Sequence, residues 1–182
     1  MKFREITLLI LLTFSSVIYI SFRNVEQKKQ YKHVEVELGD KELNIPQPIS
    51  MKMYDEILKY SKLYKIPKHI AFNIAFKETR YCGPFHFKYR HNLSSGAGAV
   101  SPMQIMPSTA RQFQDKPITT HRLNNDLTLN VQISMRLLHK LYKKFGDWKL
   151  VCGCYNTGRP MVNDYALFCV NNKDYSRLWH RI

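Results

Sequence analysis

Glu78 is the residue whose setting most suggests chemistry. It ends a run in which Ile70, Ala71, Ile74 and Ala75 recur at helical spacing, which predicts a helix face that is apolar except for this carboxylate. An apolar setting disfavours the charged form of a carboxylic acid and raises its pKa, so such a group can donate a proton near neutral pH. Between Glu78 and Asp115 the chain has no other Asp or Glu. A mechanism that needs two neighbouring carboxylates must therefore draw the second from far along the chain, with Asp147 and Asp164 as candidates. Taken alone, the pattern also fits an ordinary solvated glutamate at a helix end.

The elements that must position Glu78 read as helices. Met53, Tyr54, Ile57, Leu58 and Leu63 give a near 3.6-residue period over Met51 to Tyr64. Pro67 suits the first turn of the helix that carries Glu78, where its missing N–H costs nothing. Tyr81 to Ser95 reads as an aromatic loop containing Phe85, Phe87 and Tyr89, and Gly96 to Pro102 as a small-residue turn. Pro107 opens another helical start. Asp126 suits the cap of a helix through about Phe145, with Val131, Met135, Leu138, Leu141 and Tyr142 facing inward. Gly146 and Asp147 break it, Trp148 begins the next, and Asn171 to Ile182 reads as a short terminal helix. Strand signals are few, apart from the short segment HVEVEL, so the expected fold class is mainly α.

The amino terminus differs from the rest. Ile6 to Phe22 is 17 residues without a charge, close to the shortest stretch that spans a bilayer. It is longer than the apolar core of a cleaved signal and ends in bulky Ile18, Tyr19, Ile20 and Phe22, which favours an uncleaved anchor over a cleaved, secreted form or a phage virion protein. We expect residues 1–22 to be a signal anchor, 23–50 a charged linker ending in Pro46-Gln47-Pro48, and 51–182 one domain. Lys2 and Arg4 precede the span while Arg23, Lys28, Lys29 and Lys32 follow it, so the charges leave its orientation open.

A net charge of +14 attracts polyanions, whether nucleic acid, anionic lipid or acidic envelope polymers. No nucleic-acid-reading motif accompanies it, and nucleic acid is not an expected partner. Cys82, Cys152, Cys154 and Cys169 lack zinc-ligand spacing with histidine, and no metal or other cofactor is expected. They read as small core residues or as disulfide partners, with both readings open.

Four blocks together resemble the catalytic domain of the soluble lytic transglycosylase (SLT) family, related in fold to goose-type lysozyme. Ala75-Phe76-Lys77-Glu78-Thr79-Arg80-Tyr81 is similar to the block around that family's catalytic acid. Ser95 to Pro107 (SGAGAVSPMQIMP) resembles its Gly-Ala-x-Gly-Leu-Met-Gln-Ile-Met-Pro motif. The stretch Asp126 to Trp148, with Asn130 and the Phe-Gly-Asp-Trp end, is the third. Cys154-Tyr155-Asn156-Thr157-Gly158 looks like Ala-Tyr-Asn-Ala-Gly. The likeness covers about residues 52 to 160. Four departures stand out: Thr79 where the family usually has Ser, Ser101 where it has Gly, a longer interval from Glu78 to Ser95, and no Glu-Thr-x-x-Tyr-Val block after Gly158. The last puts one wall of the cleft in doubt.

The resemblance implies a lysozyme-like helical domain that cuts peptidoglycan glycan strands at the MurNAc–GlcNAc β-1,4 bond. Glu78 would be the one catalytic residue, and the product would be 1,6-anhydro-MurNAc. Thr79, Ser95, Gln104, Met106, Tyr155 and Asn156 would bind substrate, while Phe85, Phe87 and Tyr89 either stack on sugars or form a satellite hydrophobic cluster. The implied location is the inner membrane, single-pass, with the domain in the periplasm. A hydrolytic muramidase, and a weakly active glycan-binding subunit of a secretion or phage-entry machine, are the competing readings.

Overall fold

The computed structural model describes residues 46–114 and 117–180 of the chain. α1 (Ile49–Leu63) buries Ser50, Met53, Ile57, Tyr60 and Ser61, a series that keeps to one side of a helix. Pro67 stands just outside α2 (Lys68–Thr79) as its N-cap, one position earlier than the sequence suggested. Every residue from Ile70 to Phe76 in α2 is buried. The expected one-sided stripe is thus a helix enclosed on nearly all sides, and only its two ends, Lys68 and His69 at the first turn and Lys77 and Glu78 at the last, reach solvent. Arg80 takes the left-handed conformation (φ 57°) and ends it.

The next helices start where their caps dictate. α3 (Pro107–Arg111) has Pro107 in its first turn behind Met106. α4 (Thr120–Asn125), which the sequence did not announce, is capped by Thr119, whose hydroxyl accepts from the Arg122 N–H. α5 (Leu127–Phe145) begins at Asp126, whose Oδ1 accepts from the Leu129 N–H at 3.0 Å, and stops at Gly146 with φ 67°. Each such cap stabilises its helix by about 1 kcal/mol. Val131, Met135 and Leu138 face the core as expected. Tyr142 does not: it is 37% exposed and stacks on Trp148, with ring centroids 4.4 Å apart.

Asp147 caps α6 (Trp148–Thr157) through a 2.7 Å bond from the Lys149 N–H. Asn163 caps α7 (Asp164–Asn171), a second helix absent from the sequence reading. The terminal helix expected from Asn171 is a 3-10 segment, Tyr175–His180. The main core is drawn from α1, α2, α5, α6 and α7. A smaller cluster of Val100, Ile105, Ala110, Leu123, Leu129 and Ile133 lies under the segment before α3.

Among the described residues β-structure is confined to the isolated bridges Ser94–Val100 and Val100–Ile105, so the domain is mainly α. The expected anchor Ile6–Phe22 and the segment HVEVEL lie outside the described residues. Within those residues no helix is long and apolar enough to cross a membrane. Cys152 and Cys169 are fully buried, and Cys152, Cys154 and Cys169 are free thiols. The Cys82 thiol donates to the Arg80 carbonyl at 3.2 Å.

Candidate active site

Glu78 sits at the open end of α2, half-buried. Burial holds its carboxyl above the usual glutamate value, while a hydrogen bond from Tyr165 and the Lys77 ammonium pull the other way. The Tyr165 hydroxyl donates to Glu78 Oε1 at 2.5 Å. Tyr165 is itself buried at the start of α7, and that burial, reinforced by the Glu78 charge, keeps its phenol protonated. Tyr155, on α6, also feels the Glu78 charge, so the three side chains form one electrostatic group. Asp147 and Asp164 are exposed, the first spent as a helix cap, and neither is among the charges acting on Glu78.

A second wall comes from the turn between Ser94 and Met106. Its shape depends on two non-glycine residues in the left-handed region, Ser101 (φ 68°) and Gln104 (φ 48°). The serine in place of glycine therefore keeps a glycine-type backbone, at a cost of roughly 1–2 kcal/mol. Asn130, fully buried on α5, holds this turn from behind. Its Oδ1 accepts from the Met103 N–H at 3.2 Å and its Nδ2 donates to the Val100 carbonyl at 3.0 Å. The Tyr155 hydroxyl donates to the Met103 carbonyl at 2.7 Å, which ties α6 to the same turn.

The residues named from sequence divide by what they touch. Gln104 points its Nε2 at the carbonyls of Leu93 and Ser101, leaving the side-chain carbonyl as its acceptor for a ligand. Met106, 39% exposed, presents its side chain to solvent beside this turn. Thr79 is buried, and its hydroxyl lies 2.8 Å from the Tyr89 hydroxyl and 2.9 Å from the Pro102 carbonyl. It braces the end of α2 against the Ser101–Pro102 turn and offers no free hydroxyl to a sugar. Ser95 accepts from the Ala99 N–H, closing its own turn. Asn156 is exposed, and its Oδ1 accepts from Asn163, just before α7. Tyr155 spends its hydroxyl on Met103, not on Glu78. Tyr89 is buried in the core, whereas Phe85 and Phe87 are exposed.

Sequence reasoning missed Tyr165 and the residue that seats it. On α2, Asn73 is fully buried and donates to the carbonyls of Cys169 and Asn172 at 3.0 and 2.7 Å. Its Oδ1 accepts from the Asn172 amide at 2.7 Å. This staple fixes α7 along α2, and with it the Tyr165 hydroxyl on Glu78. The wall whose motif is missing after Gly158 is thus occupied by α7, announced in sequence only by Asn163-Asp164 as a capping pair. Among the described residues no group of His, Cys, Asp or Glu is placed to hold a metal ion.

Comparison with known proteins identifies relatives and a family. Over 70 residues the chain is 33% identical to the membrane-bound lytic murein transglycosylase D of two Escherichia coli strains. That stretch is 38% of this chain and 16% of the relative, so the chain matches a small part of the larger protein. An inactive mutant of the lytic transglycosylase Slt from Pseudomonas aeruginosa is 17% identical with a TM-score of 0.49, over 86% of this chain and 27% of that one. The family model for the transglycosylase SLT domain matches residues 55–168, from α1 through most of α7, and the chain belongs to that family.

Proposed function

We infer that the chain is a peptidoglycan lytic transglycosylase that cleaves the MurNAc–GlcNAc β-1,4 bond with Glu78 as its single acid/base. The observation that carries this reading is the setting of Glu78: a carboxyl whose pKa burial raises, touched by a tyrosine hydroxyl, with an ammonium as the charge acting on it. Glu78 donates its proton to the leaving glycosidic oxygen as oxocarbenium character develops at the anomeric carbon. Among the described residues no second carboxylate is among the charges acting on Glu78, and the acetamido oxygen of the substrate forms the bond to that carbon. The Glu78 carboxylate then takes the proton of the sugar's 6-hydroxyl, whose oxygen displaces the acetamido group and closes the 1,6-anhydro ring. Water is not consumed.

Gln104, through its side-chain carbonyl, and Met106 are the substrate contacts this arrangement favours. Tyr155, Thr79, Ser95 and Asn156 act through the protein, by holding the turn and the two helices in place. Ile6–Phe22 serves as a membrane anchor, with the domain on the periplasmic side where the polymer lies. Digestion of purified sacculi tests the reading. Anhydro-muropeptides that disappear in Glu78→Gln support it. Reducing-end products one water heavier make the protein a hydrolase, and no release by folded protein makes it a glycan-binding module.

A further inference from the structure

The loop between Cys82 and Arg90 is built to hold apolar rings in solvent. Its two feet are fixed: Cys82 packs with Phe76 and Leu178, and Tyr89 is buried with its hydroxyl on Thr79. Between them run two consecutive turns, closed by His86 N–H to the Gly83 carbonyl at 3.2 Å and Tyr89 N–H to the His86 carbonyl at 2.8 Å. Gly83 makes the first possible, with φ 96° and the Trp179 ring where a Cβ would lie. The result exposes Phe85 by 59% and Phe87 by 69%, edge to face with centroids 6.4 Å apart. Such exposure on an anchored loop marks a contact surface.

The charges carried by the loop itself have one sign, while the Asp55 carboxylate on α1 acts on Tyr81 at its root. Lys88 and Arg90 are exposed on the same loop, as is Lys52 on α1, and no acidic residue occurs from Thr79 to Gln114. The loop is also bonded to the place where the polypeptide enters the domain. Ser50, the second residue of α1, donates to the Pro84 carbonyl at 2.8 Å, and its own carbonyl accepts from the Tyr81 hydroxyl at 2.6 Å. In sequence, α1 follows directly on the linker from Ile6–Phe22.

We propose that Phe85 and Phe87, with Lys88 and Arg90, form an interfacial foot that seats the domain on an anionic lipid bilayer. The rings enter the headgroup boundary while the cations meet lipid phosphates. A neutral sugar face would use the rings but not the cations. The inference rests on the anchor reading of Ile6–Phe22 and adds an orientation: the loop faces the membrane.

The test uses the full chain reconstituted in phosphatidylcholine vesicles, with and without phosphatidylglycerol. Phe87→Trp supplies a reporter, read as the difference from the parent, whose Trp148 and Trp179 remain. The expected result is a blue-shifted added emission, roughly halved by brominated lipid in the anionic vesicles. Lys88→Glu combined with Arg90→Glu removes most of that quenching, and Phe85→Ser weakens it. Flotation of the protein with the vesicles reports on the anchor separately. Protein that floats while the added Trp stays red and unquenched overturns the foot but not the anchor. Protein that fails to float overturns the anchor and the foot with it. An emission shift on adding glycan fragments, without lipid quenching, assigns the loop to substrate and overturns the proposal.

Discussion

Tyr165 and Glu78 are 87 residues apart in sequence and joined by a 2.5 Å hydrogen bond from hydroxyl to carboxylate. A donor on the charged form favours that form, so this bond moderates the rise in pKa that burial imposes. The site is therefore tuned between two opposing effects. On the proposed reading the acid must hold its proton at working pH and still release it in the reaction.

Tyr165→Phe removes the moderating donor and leaves the burial. The Glu78 pKa then rises further, and the alkaline limb of the pH–activity profile moves to higher pH. Activity against sacculi measured across pH checks this. An unmoved limb means the hydroxyl does not tune the acid.

Glu78→Gln separates catalysis from stability. Loss of the acid lowers turnover about 10²–10⁴-fold. The folded pKa lies above the ordinary 4.5, so the carboxyl favours folding below that value and loses this contribution as pH rises through the raised one. The neutral glutamine carries no such penalty. Its melting temperature should exceed the parent's at neutral pH, and the difference should vanish below pH 4.5. Equal melting temperatures throughout would refute the buried-acid assignment.

Asn73→Leu tests the staple between α2 and α7. It leaves the Cys169 and Asn172 carbonyls without their donor, at a cost of about 1–3 kcal/mol for each buried group. Thermal unfolding should fall by roughly 10 °C. The folded fraction should also show an alkaline limb displaced as in Tyr165→Phe, since α7 no longer holds the hydroxyl in place. A melting change without that displacement limits Asn73 to stability.

Ser101→Gly is expected to stabilise. The serine has φ 68°, and its buried Oγ lacks a hydrogen-bond partner among the described residues. Glycine relieves both, against an unfolded-state entropy cost of roughly 0.5–1 kcal/mol. A net gain of about 1 kcal/mol in urea denaturation is the expected reading.

What the sequence disclosed was local. Asp126, Gly146, Asp147 and Pro107 marked helix boundaries because a cap acts within one turn of itself. Glu78 stood out because its neighbours are apolar. α7 escaped because eight residues are too few to show a period, and Tyr165 because its partner is set by folding, not by spacing. Thr79 and Asn156 were placed by resemblance at the sugar. Within the protein they bond to Tyr89, Pro102 and Asn163, contacts that no local pattern announces.

Asn130 has a consequence for how the cleft adapts. One buried amide group grips Val100 and Met103 on either side of the Ser101 turn, from a helix of 19 residues. The Gln104 wall is thereby coupled to α5 as a single stiff part, and local flexing of the turn would break buried hydrogen bonds. On the proposed reading, accommodation of differently decorated strands comes from side chains at the rim, such as Met106, or from the whole of α5 tilting. Selectivity at that wall would then be a matter of geometry fixed in advance, and a strand that does not match it would be turned away without a conformational response.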